Sequence, residues 1–386
     1  MQTPSRLDKT PIEVPRGLAN VIVTETALSD VRGTEGFYHY RQYSAIELAE
    51  HRSLEEVWFL LMAGNLPSAG QLQAFTARIA AQSRLSVGLQ GVLPRLAANG
   101  DYLAGLKAAL AFESITAPGS WGVPLFDLDR DARSEALLAL AARVPVIIAA
   151  LHRLRRGSQP IPADPELGYV ANYLYMLNGV RPDPAHADAL GTYLVAAVDH
   201  GLNASTFTAR VIASTGADAV SCLLGALGSL SGPLHGGAPS RALDTLDAIG
   251  SLANIDPWIT EQVLAGHRIM GFGHPVYRTE DPRSALLKSV ALRFGGPRVD
   301  FAVAVEERIP QLLAQLKPGR ELHTNLEFYA AIVMEICGLD RALFTPTFAV
   351  ARVLGWCANI IEQCEDPKII RPTARYVGPA APQPLP

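Results

Sequence analysis

Apolar residues recur along most of this chain at three- and four-residue spacing, the pattern of helices with one buried face. The segment after Ser53 is typical. Leu54, Val57, Trp58, Leu61 and Met62 share a face, Ser53 and Glu56 form a capping box, and Gly64 and Pro67 end the run. The same spacing predicts a long helix over 131–156, with Pro145 as the place for a kink and Gly157 as its stop. Further helices are expected over 186–198, 205–229, 240–252, 325–337 and 347–363. Strand-like alternation is short and confined to 19–26 and 36–43. No internal repeat is visible, so the expected fold class is all-α.

Composition narrows the picture. The 386 residues are 49% hydrophobic and 18% charged, enough chain for a large core and for two or three domains. A net charge of -4 and a pI near 6.2 leave no basic face for nucleic acid. Apolar runs such as 144–151 are too short to span a membrane. The opening MQTPSRLDKTPIEVPRG has no apolar core of signal-peptide type and reads as a polar arm, and the closing GPAAPQPLP reads as a disordered tail. Cys222, Cys337, Cys357 and Cys364 lack metal-type spacing and sit in helix-like apolar surroundings, so buried free thiols and a cytoplasmic setting are expected.

Three polar segments interrupt the apolar chain. SGPLHGG at 231–237 holds His235 among glycines that let backbone approach a ligand, with a helix start behind it that suits an anion. A helix–helix turn with an incidental histidine fits equally well. The second segment is RIMGFGHPVYR at 268–278, followed by Asp281-Pro-Arg283. Its lone GxG is no dinucleotide motif, but a histidine among arginines suits a polyanion, because guanidinium forks match carboxylates and phosphates. The third is NLEFY at 325–329, where Glu327 stands at an apolar helix start. Burial there would raise its pKa toward that of a useful base, and a plain dipole-complementing acid is the simpler alternative. His200 in DHGLN is ambiguous alone. His39, His51, His152, His186 and His323 sit in polar contexts and read as surface residues. No helix-spaced set joins His267 to His274, so no metal site is expected.

In this order, GPLHGG, GFGHxVY with DPR, NxEFY and ARxLGW…RP resemble the citrate synthase family, over about residues 17–378. The resemblance implies a helical homodimer, with a large domain (1–236 and 339–386), a small domain (237–338) and the active site between them. It implies condensation of acetyl-CoA with oxaloacetate and hydrolysis of the thioester, with no cofactor beyond the acyl-CoA substrate. Glu327 would be the base, His235 the donor to the thioester oxygen, and His274 the group polarising the ketone. Arg283, Arg352 and Arg371 would hold the oxaloacetate carboxylates, with His200 as a further contact and Arg371 reaching from the partner subunit. Met270, Gly271, Phe272, Gly273 and Arg278 match the CoA side.

The chain departs from the family pattern at four places. Glu327 stands where most members have Asp, Pro275 where many have Arg, Ala197 where a His is common, and Pro239 where Asn is usual. Two alternatives therefore stand beside the leading reading: 2-methylcitrate synthesis from propionyl-CoA with the same residues, and a paralogue that binds ligand without turnover.

Overall fold

A computed structural model describes residues 11–98, 100–116, 121–236, 238–274, 276–277, 279–317 and 322–385. Helices dominate, as the periodicity requires, and the fold is all-α apart from one small sheet. Two long helices, Arg130–Arg155 and Phe344–Glu365, pack against each other at the centre. Each is apolar on nearly every face, which fits a helix surrounded by others. By length and hydropathy both could cross a membrane, but 83% and 94% of their most apolar stretches are buried within the fold. Asp129 caps the first helix through Ala132 N (2.8 Å), and that helix runs through Pro145 as one element. The Ser53–Glu56 capping box forms as expected, with Ser53 N donating to Glu56 (2.8 Å) and Glu56 N to Ser53 Oγ (3.2 Å). All four cysteines are free and buried.

Three expectations need correction. The periodic stretch 205–229 is two helices, Ala204–Ala213 and Ala219–Leu230, broken at Gly216 (φ 76°) and restarted by the Asp218 cap. The two pack on each other and bury similar faces, so the apolar rhythm continues across the turn. Residues 21–26 form no strand. The sheet is Ser29–Arg32, Phe37–Tyr40 and Tyr43–Ser44, antiparallel in that order. His152 is buried rather than exposed, because Tyr102 supplies a hydroxyl 3.0 Å from its Nδ1.

The sheet matters for what it anchors. Tyr38 Oη donates to Ala196 O (3.1 Å) and Tyr40 Oη to Val195 O (2.9 Å). These are final-turn carbonyls of the helix Pro184–Ala197, where regular helix bonding runs out, although Val195 O also takes the Val198 N–H of the cap (3.3 Å). Asp199 and His200 follow directly. Asp199 is buried and accepts from Ser29 Oγ and from Asn359 Nδ2 (3.1 Å) on Phe344–Glu365. Hairpin, helix end and core helix thus meet at His200.

A second group of helices lies between the two core helices in sequence: Ala238–Ile249, Ile255–Leu264, Pro282–Phe294, Pro297–Leu316 and Leu326–Ile336. Pro282–Phe294 and Leu326–Ile336 pack together, and both touch Pro184–Ala197.

Close backbone approach makes one glycine testable. A Cβ on Gly355 would stand 2.3 Å from Val198 O and 3.2 Å from Asp199 Oδ1. Gly355→Ala is expected to lower stability by about 1–3 kcal/mol through overpacking, read as a lower denaturant midpoint, and to disturb the neighbouring His200.

Candidate active site

The polar segments singled out from sequence converge where the two helix groups meet. Their local geometry follows from two pinned helix starts. Asp281 caps Pro282–Phe294 by accepting from Arg283 N (3.0 Å), and the same carboxylate takes Arg283 Nε (2.9 Å) and Nη2 (2.8 Å). Its Oδ2 also accepts from Leu326 N (3.1 Å), at the start of Leu326–Ile336. The loop bearing His274 is tied to that second start. Asn325 N donates to Gly271 O (2.9 Å), Asn325 Nδ2 to Gly273 O (3.0 Å) and Gly273 N to His323 O (2.8 Å), while Phe272 bridges Thr324. Gly271 (φ 87°) is required here, since a Cβ would meet Phe328 Cδ2 at 2.8 Å. His274 and Glu327 are therefore held by one braced pair of loops.

His274 is oriented by its backbone surroundings. Val276 N (3.0 Å) and Tyr277 N (3.1 Å) both donate to Nδ1, so the ring proton sits on Nε2. Arg283 Nη2 lies 3.1 Å from that same Nε2. A guanidinium has only donors, so with the ring proton on Nε2 the Arg283 and His274 N–H groups meet with no acceptor between them. An acceptor oxygen there satisfies both.

Arg352, on the core helix Phe344–Glu365, sits over the Phe348 ring (Cζ 4.8 Å from the ring centroid). It is 4% exposed, and its Nε and Nη1 have no hydrogen-bond partner among the described residues. Burial pulls its pKa down, against the field of Asp199. A buried guanidinium with unused N–H groups is costly unless something anionic reaches it.

His235 is half-buried at the end of its turn, with Nε2 2.8 Å from Ser205 Oγ. Trp356 Nε1 donates to that oxygen (3.2 Å). The Ser205 hydroxyl has one proton and two acceptors in reach, His235 Nε2 and Asn203 Oδ1 (2.8 Å). Given to Asn203, it leaves His235 protonated on Nε2. Turned to His235, it puts the ring proton on Nδ1. One O–H rotation selects which imidazole nitrogen is the donor.

His200 Nε2 lies 3.0 Å from Tyr277 Oη, and its ring meets that of His274 edge-on at 5.4 Å. Burial, then Arg283 and Arg352, hold His200 well below its ordinary pKa. His235 and His274 are lowered to about 4, again first by burial. Glu327 is half-buried and pushed up by burial, with Arg283 and Arg352 opposing. The cluster thus offers three neutral imidazoles, two buried cations and a carboxyl with raised pKa.

The family model described as "Citrate synthase, C-terminal domain" matches residues 17–373. The chain belongs to the citrate synthase family. The citrate synthase of Haloferax volcanii is 36% identical, with 95% of this chain and 96% of that protein covered. The putative citrate synthase 2 of Mycobacterium tuberculosis is 37% identical, with 94% and 92% covered. The crystal structure of Pyrobaculum aerophilum citrate synthase is similar at a TM-score of 0.87 and 31% identity, covering 100% of this chain and 99% of that one. The ternary complex of Thermoplasma acidophilum citrate synthase with carboxymethyl coenzyme A and oxaloacetate is similar at 0.87 and 28%, covering 97% and 98%. The chain is therefore an enzyme of citrate synthase type.

Of the residues expected at a citrate synthase site, His200, His235, His274, Arg283, Glu327 and Arg352 come together. Met270, Gly271, Phe272 and Gly273 form the loop leading into His274. Arg278 lies outside the described residues, as does Pro275. Arg371 is not part of the cluster within one chain; it lies on the exposed, extended tail after Glu365. Sequence reasoning gave no role to Asp281, Ser205, Asn203, Trp356 or Tyr277. Two of these carried a signal: Asp281-Pro-Arg and Asn203-Ala-Ser each read as a helix cap beside a candidate residue.

The imidazole environments predict a pH dependence. The unfolded chain binds protons on His235 and His274 near pH 6.5, the folded protein only near 4. Stability should fall as pH drops across that window, because the unfolded state takes up protons first. Urea midpoints measured from about pH 7 to about pH 4 check this, and His235→Gln with His274→Asn should flatten the slope.

Proposed function

We propose that this enzyme condenses acetyl-CoA with oxaloacetate and hydrolyses the resulting thioester, releasing citrate and free CoA. The observation that carries the reading is the buried, unpartnered guanidinium of Arg352 beside the convergent donors of Arg283 and His274. Oxaloacetate has the matching chemistry: two carboxylates for the two cations, and a ketone oxygen for His274 Nε2–H.

The remaining groups fit the steps. Methyl protons of an acyl thioester are too weakly acidic for a carboxylate alone, so proton removal by Glu327 has to coincide with donation to the thioester oxygen. His235 supplies that donor when Ser205 turns its O–H to Nε2 and the ring proton sits on Nδ1. The enol carbon then attacks the ketone carbon, and the ketone oxygen takes a proton from the His274 side. Water attacks the thioester carbonyl of the condensed intermediate, and the sulfur leaves as the CoA thiol. Met270 to Gly273, with Arg278, take the CoA side. His200, linked to Tyr277, completes the oxaloacetate contacts.

The same reading includes a small domain of 237–338 moving on a large domain of 1–236 and 339–386. Gly236 and Gly338 (φ 75°) stand at its edges, and the site lies between the two helix groups. It also includes a homodimer in which Arg371 completes the partner's site. The exposed tail carrying Arg371, with Ile369, Tyr376 and Val377 open to solvent, fits a segment that covers a second copy. Four free buried cysteines suit a reducing, cytoplasmic compartment.

The deciding measurement is release of free CoA thiol with oxaloacetate, run with acetyl-CoA and propionyl-CoA in parallel. Acetyl-CoA preference is expected, propionyl-CoA preference would make the enzyme a 2-methylcitrate synthase, and no release from protein that binds oxaloacetate would sink turnover altogether. Glu327→Gln should cut kcat by roughly 10²–10⁴-fold while leaving oxaloacetate affinity within a few-fold. Arg371→Ala and Glu327→Gln, each inactive alone, should regain activity when co-expressed, because a mixed dimer carries one intact site. Failure of that complementation would place Arg371 outside the partner's site.

A further inference from the structure

Tyr193 stands apart from the other buried tyrosines. Tyr38, Tyr40 and Tyr169 donate to backbone carbonyls, Tyr173 pairs with Thr347, Tyr102 with His152, and Tyr277 with His200. Tyr193 is fully buried, yet its hydroxyl has no hydrogen-bond partner among the described residues. An unused O–H in a packed interior costs stability, and such groups are uncommon in folded proteins.

Its surroundings narrow the choice of partner. Tyr193 lies on Pro184–Ala197, two helical turns before His200, and that helix packs against both Leu326–Ile336 and Phe344–Glu365. The strongest charge acting on its hydroxyl is that of Glu327, followed by Arg352. A guanidinium has no acceptor, so of these two only the Glu327 carboxylate can take the phenol proton into a hydrogen bond.

We infer that Tyr193 is a positioning residue: its hydroxyl, unpaired among the described residues, receives one oxygen of the Glu327 carboxylate when that side chain ionises, leaving the other oxygen free to accept the substrate proton. The inference rests on Glu327 acting as the base. Glutamate has one more rotatable bond than aspartate, so its oxygens need a second point of attachment to stay in line. Burial keeps the phenol protonated, so it remains a donor across the working range. The other charges acting on Glu327 are Arg283 on Pro282–Phe294, the Asp281 that caps that helix, and Arg352 on Phe344–Glu365.

Tyr193→Phe tests the link. The expected result is a roughly tenfold to hundredfold loss of kcat. The KM for oxaloacetate should be nearly unchanged and the thermal midpoint no lower. The acidic limb of kcat/KM should move to higher pH, because a donor to the charged form of Glu327 is gone. In a Glu327→Asp background the same substitution should cost much less, since the shorter side chain withdraws from the hydroxyl. An unmoved acidic limb with a raised oxaloacetate KM would overturn the inference and put the hydroxyl on the substrate. Equal losses in both backgrounds would overturn it as well. Should Tyr193→Phe fail to fold, 3-fluorotyrosine at 193, a stronger donor of nearly the same shape, must shift the limb to lower pH or the link is wrong. Near-normal turnover by Glu327→Gln would bring down the proposed base itself. Inactive Glu327→Gln alongside wild-type behaviour of Tyr193→Phe would remove only Tyr193.

Discussion

One carboxylate, that of Asp281, joins most of what the site depends on. It starts the helix Pro282–Phe294, grips Arg283 through two nitrogens and accepts from Leu326 N at the start of the next helix but one. Burial alone would raise its pKa, but the Arg283 guanidinium, its hydrogen bonds and the nearby His274 hold it below the ordinary carboxylate range. The ion pair is 1% and 3% exposed, where breaking it would leave an uncompensated charge in the interior. Arg283 in turn faces His274, and Leu326 immediately precedes Glu327. The directions of a cation, an imidazole and a carboxyl therefore follow from a single buried pair.

The other half of the site is built on the opposite principle. Arg352 sits on an almost wholly buried helix and leaves two nitrogens unpartnered among the described residues, with its charge eased by Asp199 rather than matched by a direct bond. Burial makes that charge costly, and the field of Asp199 offsets part of the cost. The tyrosine-pegged hairpin and the Asp199 contacts to Ser29 and Asn359 hold the neighbouring backbone in place. A dianionic ligand entering between Arg283 and Arg352 would satisfy donors on both helix groups at once. Binding would therefore stabilise the folded chain and draw the two groups together.

The fold class was legible because helical periodicity is a local property: the Ser53 box, the 131–156 helix and the C-terminal core helix all lie within a residue or a few of where spacing puts them. The Gly216 break was hidden because two helices packed on each other keep one apolar phase. His235, His274 and Glu327 were legible through the resemblance; their spacing alone left each with a bland alternative. What sequence could not supply were the contacts between distant segments. Asp199 meets Ser29 across 170 positions, and Trp356 meets Ser205 across 151. Burial, which lowers the imidazoles and raises Glu327, is a sum over such contacts and has no local signature.

The Glu327 departure from the family pattern is now a narrower question. An extra methylene can be absorbed by a retreat of the backbone or by a bend in the side chain. Retreat is opposed here, because the residues just before Glu327 are fixed by Asn325 N to Gly271 O (2.9 Å), Asn325 Nδ2 to Gly273 O (3.0 Å) and Leu326 N to Asp281 Oδ2 (3.1 Å). Moving this start would pull on the His274 loop and on the Asp281–Arg283 pair together. The bend is the cheaper adjustment, since it costs only rotamer freedom. With the attachment point fixed and the side chain bent, the carboxylate position is decided by the charges that act on it, Arg283 and Arg352 favouring its ionised form and Asp281 opposing it.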